Sequence, residues 1–566
     1  MELYQRFLTE AIDGEGRLTG VEYHAPETYN FGFDVVDELG KSEPQRRAMI
    51  WTSDTEERIF TFGDIMRLSA QACNYFKSIG IAKGDKVLSV LRRHWEFWVI
   101  ITALHKLGAV VIPATDQLKE KDFVYRFNAA EVKAVICTSF GGVLEEAERA
   151  AKKCDGVKIK IAVDGVHTGL RNGASEERIK TLDCGWRDYG SEVCAFGEIY
   201  ERPADGSAPM RDEAMLMYFT SGTTAYPKIA LHEHTYSLAH FITAKWWHNV
   251  QKDGVHFTVA ETGWGKAVWG KLYGQWLCGA CVFTYDFDRF EQSKLLNMIS
   301  KHKITTFCAP PTIYRFMIKA DLSKYDLSSL KYMTTAGEAL NPEVYNRLKE
   351  ATGLGIMEGF GQTETTLTIA NLRGCVPKMG SMGKPTPIYP MRLVDCDGND
   401  VEAGTAGEIC IDISNGRPYG LFREYYKNPE ETQKAMCEGL YHTGDTAWRD
   451  EDGYMFFVGR TDDIIKSSGY RIGPFEIESV LMEHPSVLEC AVTGEPDPVR
   501  GQVVKATIVL TKGYEGSEEL KKEIQTYVKK ATAPYKYPRI IDFVDELPKT
   551  ISGKIRRNVL RSSAKS

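Results

Sequence analysis

The chain has 566 residues, 43% hydrophobic and 26% charged, with a formal net charge of −7. That length exceeds a single hydrophobic core, so two or more domains are expected, and the acidic balance excludes a general surface for nucleic acid or anionic membrane. The 13 cysteines are read as isolated, with no Cys-x2-Cys pair and no tight framework (Cys137, Cys154, Cys184 and Cys194 are simply scattered), which is expected of free thiols in a reducing cytosol.

The first ten residues are amphipathic and partly acidic, without the apolar core of a signal peptide or the Arg-rich, acid-poor composition of an organelle-targeting peptide. No apolar run approaches the length of a membrane span. A cytoplasmic protein with no membrane span is expected. Residues 47–115 alternate strand and helix signals. Ala48–Trp51 is expected as a strand, and Phe60–Asp64 opens a helix with Ile65, Leu68, Ala72 and Phe76 at helical spacing. Lys86–Leu91 is a strand, a Trp-rich helix (Trp95, Trp98, Ile101, Leu104) ends at Gly108, and Ala109–Ile112 is a strand before Pro113. Val132–Cys137 is the strand of a further unit. Strands separated by helices imply a mostly parallel α/β sheet. Residues 142–212 are polar and mixed in charge, expected as peripheral helix, loop and one strand, Ile159–Val163.

Met215–Phe219 is a short apolar strand that opens into Thr220-Ser221-Gly222-Thr223-Thr224, with Lys228 beyond. Backbone N–H groups, hydroxyls and a lysine in such a loop cradle phosphate oxygens, an ordinary turn being the alternative. The spacing is not that of the common P-loop. Past Tyr236 the α/β pattern resumes, with Trp246, Trp247, Trp264, Trp269 and Trp276 close together. Aromatics at this spacing are expected first as core, and second as the wall of a pocket with glycines beside it. Thr305–Cys308 and Tyr332–Thr335 are strands, the second running into Ala336-Gly337-Glu338-Ala339. Ile356–Glu358 is a strand that enters a loop over Gly359–Thr365.

Residues 385–458 change character: Arg392–Val394, Gly407–Ile413 and Tyr454–Val458 are alternating strands joined by Asp-Gly turns, a β-rich subdomain. Gly459–Asp463 is glycine-led and polar, a hinge candidate. A compact α+β unit follows, with a helix over Pro474–Met482, strands Leu488–Val492 and Val503–Val509, and a helix bearing Leu520, Ile524, Tyr527 and Val528 on one face. The expected fold is α/β. A large multi-subdomain N-terminal domain (1–460) has mostly parallel sheets and the β-rich subdomain, and a small mobile α+β C-terminal domain (461–566) turns at Asp462.

Six segments in order carry a resemblance. They are Thr220-Ser-Gly-Thr-Thr224 with Lys228; Ala336-Gly-Glu338; Gly359-Phe-Gly-Gln-Thr-Glu364; Tyr441-His-Thr-Gly-Asp445; the run from Gly459-Arg460 through Asp462, Asp463, Lys466 and Gly469-Tyr470-Arg471 to Glu476; and Pro548-Lys-Thr-Ile-Ser-Gly-Lys554. Together they resemble the adenylate-forming superfamily of acyl-CoA synthetases, firefly luciferase and peptide-synthetase adenylation domains, over nearly the whole chain. Thr262-Gly-Trp264, Cys308-Ala-Pro-Pro-Thr312, Ser468–Glu476 and Ala533–Pro538 look most like the medium-chain acyl-CoA synthetases. The resemblance implies two half-reactions: a carboxylate attacks the α-phosphorus of ATP to give acyl-adenylate and pyrophosphate, then the CoA thiol attacks the acyl carbon and AMP leaves.

The resemblance assigns residues whose chemistry suits these steps. The hydroxyl loop and Lys228 would stabilise the charge gathered on pyrophosphate, and Glu364 would hold Mg²⁺ with the ATP phosphates. Asp445 offers two acceptor oxygens to the ribose hydroxyls, with Arg460 as a donor on the same sugar. Gly337, Glu338, Glu358, Gly359, Phe360, Gly361 and Gln362 would surround the adenine, the Phe360 ring stacking on it, with Arg471 also on the nucleotide. Thr220 and Thr363 would lie near the α-phosphate and the acyl carboxylate. Lys554 would bridge the carboxylate and α-phosphate during adenylation, a solvated surface lysine being the alternative. After domain rotation Ser468, Gly469 and Tyr470 would line the pantetheine path, and Arg471, Arg500, Lys529, Tyr537 and Arg539 would meet CoA phosphates and adenine. Ala225 departs from the family's usual glycine, which puts the loop geometry in doubt.

Acetate-specific relatives carry a tryptophan immediately before Gln-Thr-Glu; here that position is Gly361, implying a deeper acyl pocket. Trp247, Trp264 and Trp269, with Lys266 and Cys308 nearby, stand as a plug against long chains. The expected acid is short-to-medium, straight or branched, with a benzoate-like acid second. The partners are that carboxylic acid, ATP with Mg²⁺, and coenzyme A, with no nucleic acid and with a homodimer left open. Three other readings stay open: transfer to a separate carrier protein, a luciferase-like oxidase, and a nucleotide-binding regulatory protein.

Overall fold

The computed structural model describes residues 2–164, 185–220, 227–337, 340, 342–468, 470–549 and 555–562, the side chains of Arg471 and Ser562 excepted. Two large sheets form the bulk of the chain. In the first, eight strands run in the order Glu424–Tyr425, Lys228–Glu233, Ala214–Thr220, Val110–Pro113, Lys86–Val90, Val132–Thr138, Ile159–Val163, Trp186–Asp188. The second has nine, from Lys384–Pro385 at one edge, through Leu367–Ala370, Ile356–Gly361 and Tyr332–Ala336, to Glu57–Thr61 at the other. Both are parallel in their interiors, as strand–helix alternation implies; the nine-stranded sheet is antiparallel at both edges, and the eight-stranded one only at its Glu424–Tyr425 end.

The helices between them form where the sequence says they should. Thr61 and Asp64 make a reciprocal capping box at the start of Phe62–Ser78, and Ile65, Ala72 and Phe76 are buried on its inner face. Glu96–Leu107 is buried on every side, even at Lys106, whose ammonium pairs with Asp37 at 2.5 Å. An all-round apolar helix requires such a position. It stops at Gly108, whose φ of +73° suits glycine.

Strands Met391–Val394, Gly407–Asp412, Leu440–Arg449, Met436–Cys437 and Met455–Arg460 make a third, antiparallel sheet, the β-rich segment. A last sheet holds Ile465–Ser467, Tyr470–Ile472, Val487–Asp497, Gly501–Leu510 and Ile540–Phe543, with helices Pro474–Leu481 and Glu518–Ala531 packed on its own core. No helix of the described residues is long and apolar enough to cross a membrane.

Three expectations need correction. Gly359–Gly361 is strand rather than loop: Ile356–Gly361 runs unbroken and pairs with Leu367–Ala370. Its glycines admit tryptophan rings directly against the backbone, and pairing on both sides satisfies its polar groups. Residues 142–212 hold a second strand, Trp186–Asp188, which extends the eight-stranded sheet beyond Ile159–Val163; at three residues it is too short to show a period. Finally, Cys278 and Cys281 stand in Cys-x2-Cys spacing rather than being isolated. Both are free, buried thiols pushed up to about 12 by desolvation, hence unreactive.

Candidate active site

Strand Ala214–Thr220 returns antiparallel as Lys228–Glu233, with Thr220 facing Lys228. The hairpin therefore brings the hydroxyl of one strand end and the lysine of the other to the mouth of the connecting segment. Ser221, Gly222, Thr223, Thr224 and Ala225 lie outside the described residues, as do Glu338, Gly469 and Lys554. Arg471 lies in strand Tyr470–Ile472, opposite Lys466.

Lys228 sits at the centre of a chain of polar contacts. Its ammonium is 2.5 Å from Glu431 and lies over the Tyr425 ring at 4.8 Å. Tyr425 in turn donates its hydroxyl to Glu364 at 2.9 Å. Hydrogen bonding to Lys228 holds the Glu431 carboxyl down at about 2, so it stays ionised. The segment bearing Glu364 is docked at two further points. The Phe422 N–H donates to the Glu364 carbonyl at 2.7 Å, and His232 Nε2 is 2.8 Å from the Thr363 carbonyl. Burial lowers His232 to about 3, so a neutral ring donates that proton. Tyr425, Glu431 and His232 carry no motif in the sequence that marks them.

A second cluster joins the first. Gln362 donates through its amide to the Thr443 carbonyl at 2.8 Å and to Asp445, and accepts from the Tyr441 hydroxyl at 2.8 Å. Asp445 and Arg460 face each other across strands Leu440–Arg449 and Met455–Arg460, 3.5 Å apart at the nearest charged atoms. Burial alone would lower Arg460, but Asp445, Asp462 and Glu364 outweigh it and raise its pKa. Glu364 thus acts electrically on both clusters. Glu358, in strand Ile356–Gly361 of the nine-stranded sheet, keeps a partly exposed face, yet packing desolvates its carboxyl and pushes it up to about 8. Phe360 points away from its flanking glycines and packs at 6.0 Å from Phe457.

The tryptophans divide between core and wall. Trp246, Trp247 and Trp276 are fully buried, Trp264 only half. A Cβ at residue 359 would come within 2.7 Å of the Trp247 ring, and one at 361 would collide with Trp269 and the Thr366 carbonyl. Gly361 therefore admits the Trp269 ring, which fills the depth that a small residue there would otherwise open. Trp269 is fixed by donating its indole N–H to Tyr236 at 2.9 Å, and Lys266 donates to the Ala336 carbonyl at 3.0 Å. Gly337, at φ +101°, faces open space at the end of its strand. Cys308 is buried within strand Thr306–Cys308.

In the C-terminal sheet the candidates fall into three groups rather than one. Arg500 lies 3.3 Å from the Ser468 hydroxyl. Tyr470 stacks on Tyr535 with ring centroids 4.1 Å apart, both exposed. Arg539 and Lys529 both lie over Tyr537, at 5.0 and 5.6 Å. Tyr535 is a stacking partner that the sequence reading did not include. At the hinge candidate, the Asp462 carbonyl accepts from Arg561 at 2.9 Å.

The family model described as AMP-binding enzyme matches residues 36–426, and that of the AMP-binding enzyme C-terminal domain matches 476–554. Acyl-coenzyme A synthetase ACSM3, mitochondrial, of Homo sapiens is 40% identical over 95% of this chain and 90% of its own length. Among solved structures, an anthranilate CoA ligase, AuaEII, in complex with anthranoyl-AMP is 29% identical with a TM-score of 0.82, over 96% of this chain and 98% of that one. A benzoate CoA ligase from Burkholderia xenovorans LB400 is 25% identical with a TM-score of 0.78, over 94% and 100%.

Proposed function

Since the chain belongs to the AMP-binding enzyme family, we propose that it is an AMP-forming acid–thiol ligase whose acyl substrate is a short-to-medium-chain fatty acid, straight or branched. An acid oxygen attacks the α-phosphorus of ATP, the bond to the β-phosphate oxygen breaks, and pyrophosphate leaves. The CoA sulfur then forms the thioester bond at the acyl carbon, its proton going to solvent, while the bond to AMP breaks. The observation that carries this reading is the continuous polar path from Lys228 through Tyr425 and Glu364, with Gln362, Asp445 and Arg460 alongside.

Lys228 and Thr220, at the mouth of their hairpin, are placed to stabilise the leaving pyrophosphate. Asp445 and Arg460 hold the ribose; Gln362 orients Asp445, with Glu358, Gly359, Phe360 and Gly361 lining the base. Glu364 supplies hard oxygen suited to Mg²⁺, which when bound neutralises phosphate charge. Lys554 bridges acid and α-phosphate in the first half-reaction. We place the domain boundary at residues 460/461 and the hinge at Asp462, between strands that belong to different sheets. Ser468, Gly469, Tyr470, Arg471, Arg500, Lys529, Tyr537 and Arg539 are the proposed CoA contacts. The compartment is proposed to be the reducing cytoplasm, in keeping with twelve described cysteines that are all free, although the relative named above is mitochondrial by name. Nothing in the chemistry calls for a second copy of the chain.

The acid is proposed from the relative's similarity together with Trp269 over Gly361, which limits depth. An aromatic acid is the second reading, favoured by the likeness to the anthranilate and benzoate ligases. Pyrophosphate release with a panel from acetate to dodecanoate, including branched and aromatic acids, with and without CoA, tests both. An optimum among intermediate aliphatic acids with CoA-dependent thioester is expected; a benzoate optimum replaces the first reading with the second. No pyrophosphate from any acid overturns the function. A Lys554→Ala variant that forms acyl-adenylate as fast as wild type overturns the role of that lysine.

A further inference from the structure

Glu408 and Cys410 are two residues apart on strand Gly407–Asp412, on either side of an irregularity in its pairing. His442, on the neighbouring strand, stands directly opposite Cys410. The three side chains converge: His442 Nδ1 is 3.5 Å from Cys410 Sγ and 3.1 Å from Glu408 Oε2. One ligand atom from each lies within 4.8 Å of the other two. Around a tetrahedral zinc, with bonds of about 2.0–2.3 Å, donor atoms sit roughly 3.3–3.6 Å apart. The two contacts to His442 already lie within a few tenths of an ångström of that spacing.

We propose that Glu408, Cys410 and His442 form a binding site for a zinc-class divalent cation, apart from the nucleotide phosphates. Thiolate, imidazole and one carboxylate suit zinc or cobalt, whereas magnesium seeks an octahedron of oxygens. Binding displaces the Cys410 thiol proton to solvent, moves the His442 ring proton from Nδ1 to Nε2, and replaces the contact between His442 and Glu408 by two metal bonds. The His442 Nε2 makes no hydrogen bond among the described residues, so the ring is oriented by the cluster alone. Cys437, paired with Leu440 two residues before His442, lies on the same face, its thiol 3.6 Å from the Lys434 carbonyl.

The second oxygen of Glu408 accepts the Gly444 N–H at 3.0 Å. The occupied site therefore braces the strand residue immediately before Asp445, which ties it mechanically, not chemically, to the proposed nucleotide cluster. Glu408 and His442 are partly exposed and give the cation a path in, while Cys410 is buried behind them.

The test is titration of chelator-stripped full-length protein with Co²⁺ and then Zn²⁺. Wild type is expected to bind one equivalent of Co²⁺ with a near-ultraviolet thiolate-to-cobalt band that Zn²⁺ abolishes. Cys396→Ser removes an exposed thiol elsewhere and is expected to leave that signal unchanged. Cys410→Ser loses the band. His442→Asn, shown to be folded by its circular dichroism, is expected to weaken Zn²⁺ by roughly a hundredfold or more, above the cost usual for an outer-shell partner. A wild type without the band overturns the site, as does a band that survives Cys410→Ser or vanishes with Cys396→Ser. Unchanged Zn²⁺ affinity in His442→Asn also overturns it.

Discussion

Tyr425 gathers the charges of the site: its hydroxyl meets Glu364 and its ring meets the Lys228 ammonium. Tyr425→Phe keeps the ring and removes only the donor, a loss of about 0.5–1.5 kcal/mol, or up to roughly tenfold in pyrophosphate release. Glu364→Gln removes the proposed metal carboxylate, and a larger loss, on the order of a hundredfold, is expected. Equal losses in the two variants would show that Tyr425 does more than orient. Glu358 gives a pH signature. Unfolded, its carboxyl has the ordinary value of 4.5; burial raises it to about 8 in the fold. Between those values the native chain holds a proton that the unfolded chain has lost. The stability it contributes is complete below about 4.5 and is lost as pH rises through about 8. In Glu358→Gln, therefore, the Tm advantage over wild type widens across that window and levels off above it; a pH-independent difference rules the account out. Lys228, Glu364, Asp445 and Arg460 entered through the resemblance of the motifs that hold them, and the fold brings them into one connected cluster. Tyr425, Glu431 and His232 were not legible, since their roles arise from partners far away in the chain.

At the scale of elements, strand and helix periods located nearly every long element, while glycine misled at Ile356–Gly361. Glycines 359 and 361 read as loop punctuation, yet each serves a close approach, to Trp247 and Trp269 respectively. Only the folded chain brings those rings, from helical segments a hundred residues earlier in sequence, onto the strand. The Trp269 ring lies where a side chain at 361 would go, which is the contact behind the proposal that it limits the acyl depth. Trp269→Leu keeps an apolar side chain but withdraws the ring from Gly361. The chain-length optimum is expected to move to longer acids, at a stability cost of about 1–3 kcal/mol for an imperfect repack. An unchanged optimum in the acid panel, with the variant still folded by near-ultraviolet circular dichroism, would remove Trp269 from the pocket wall.

For the molecule as a whole, the two-part organisation was legible from the switch in pattern near residue 460, but what ties the parts together was not. After the Lys554 segment, helix Arg557–Ser562 folds back: Arg557 grips Glu478 through two contacts of 2.7–2.8 Å. Arg561 donates to the Asp462 carbonyl at 2.9 Å and pairs with Asp463. The tail that follows Lys554, the proposed adenylation lysine, is thus fastened to the proposed hinge itself. If the proposed hinge turns at Asp462, its backbone changes there, and an Arg561 contact that is better in one orientation than in the other biases their populations. A partly exposed pair of this kind is worth about 0.2–1 kcal/mol, which shifts the ratio of two states by up to about fivefold. Arg561→Ala is accordingly expected to change adenylation and thioester formation in opposite directions, measured separately by pyrophosphate release without CoA and by single-turnover transfer from preformed adenylate. The KM values for ATP and acid stay as they are, because no substrate contact is lost. If both half-reactions fall together in proportion, Arg561 holds the domain folded and the latch is wrong; if neither moves, the hinge turns elsewhere than Asp462.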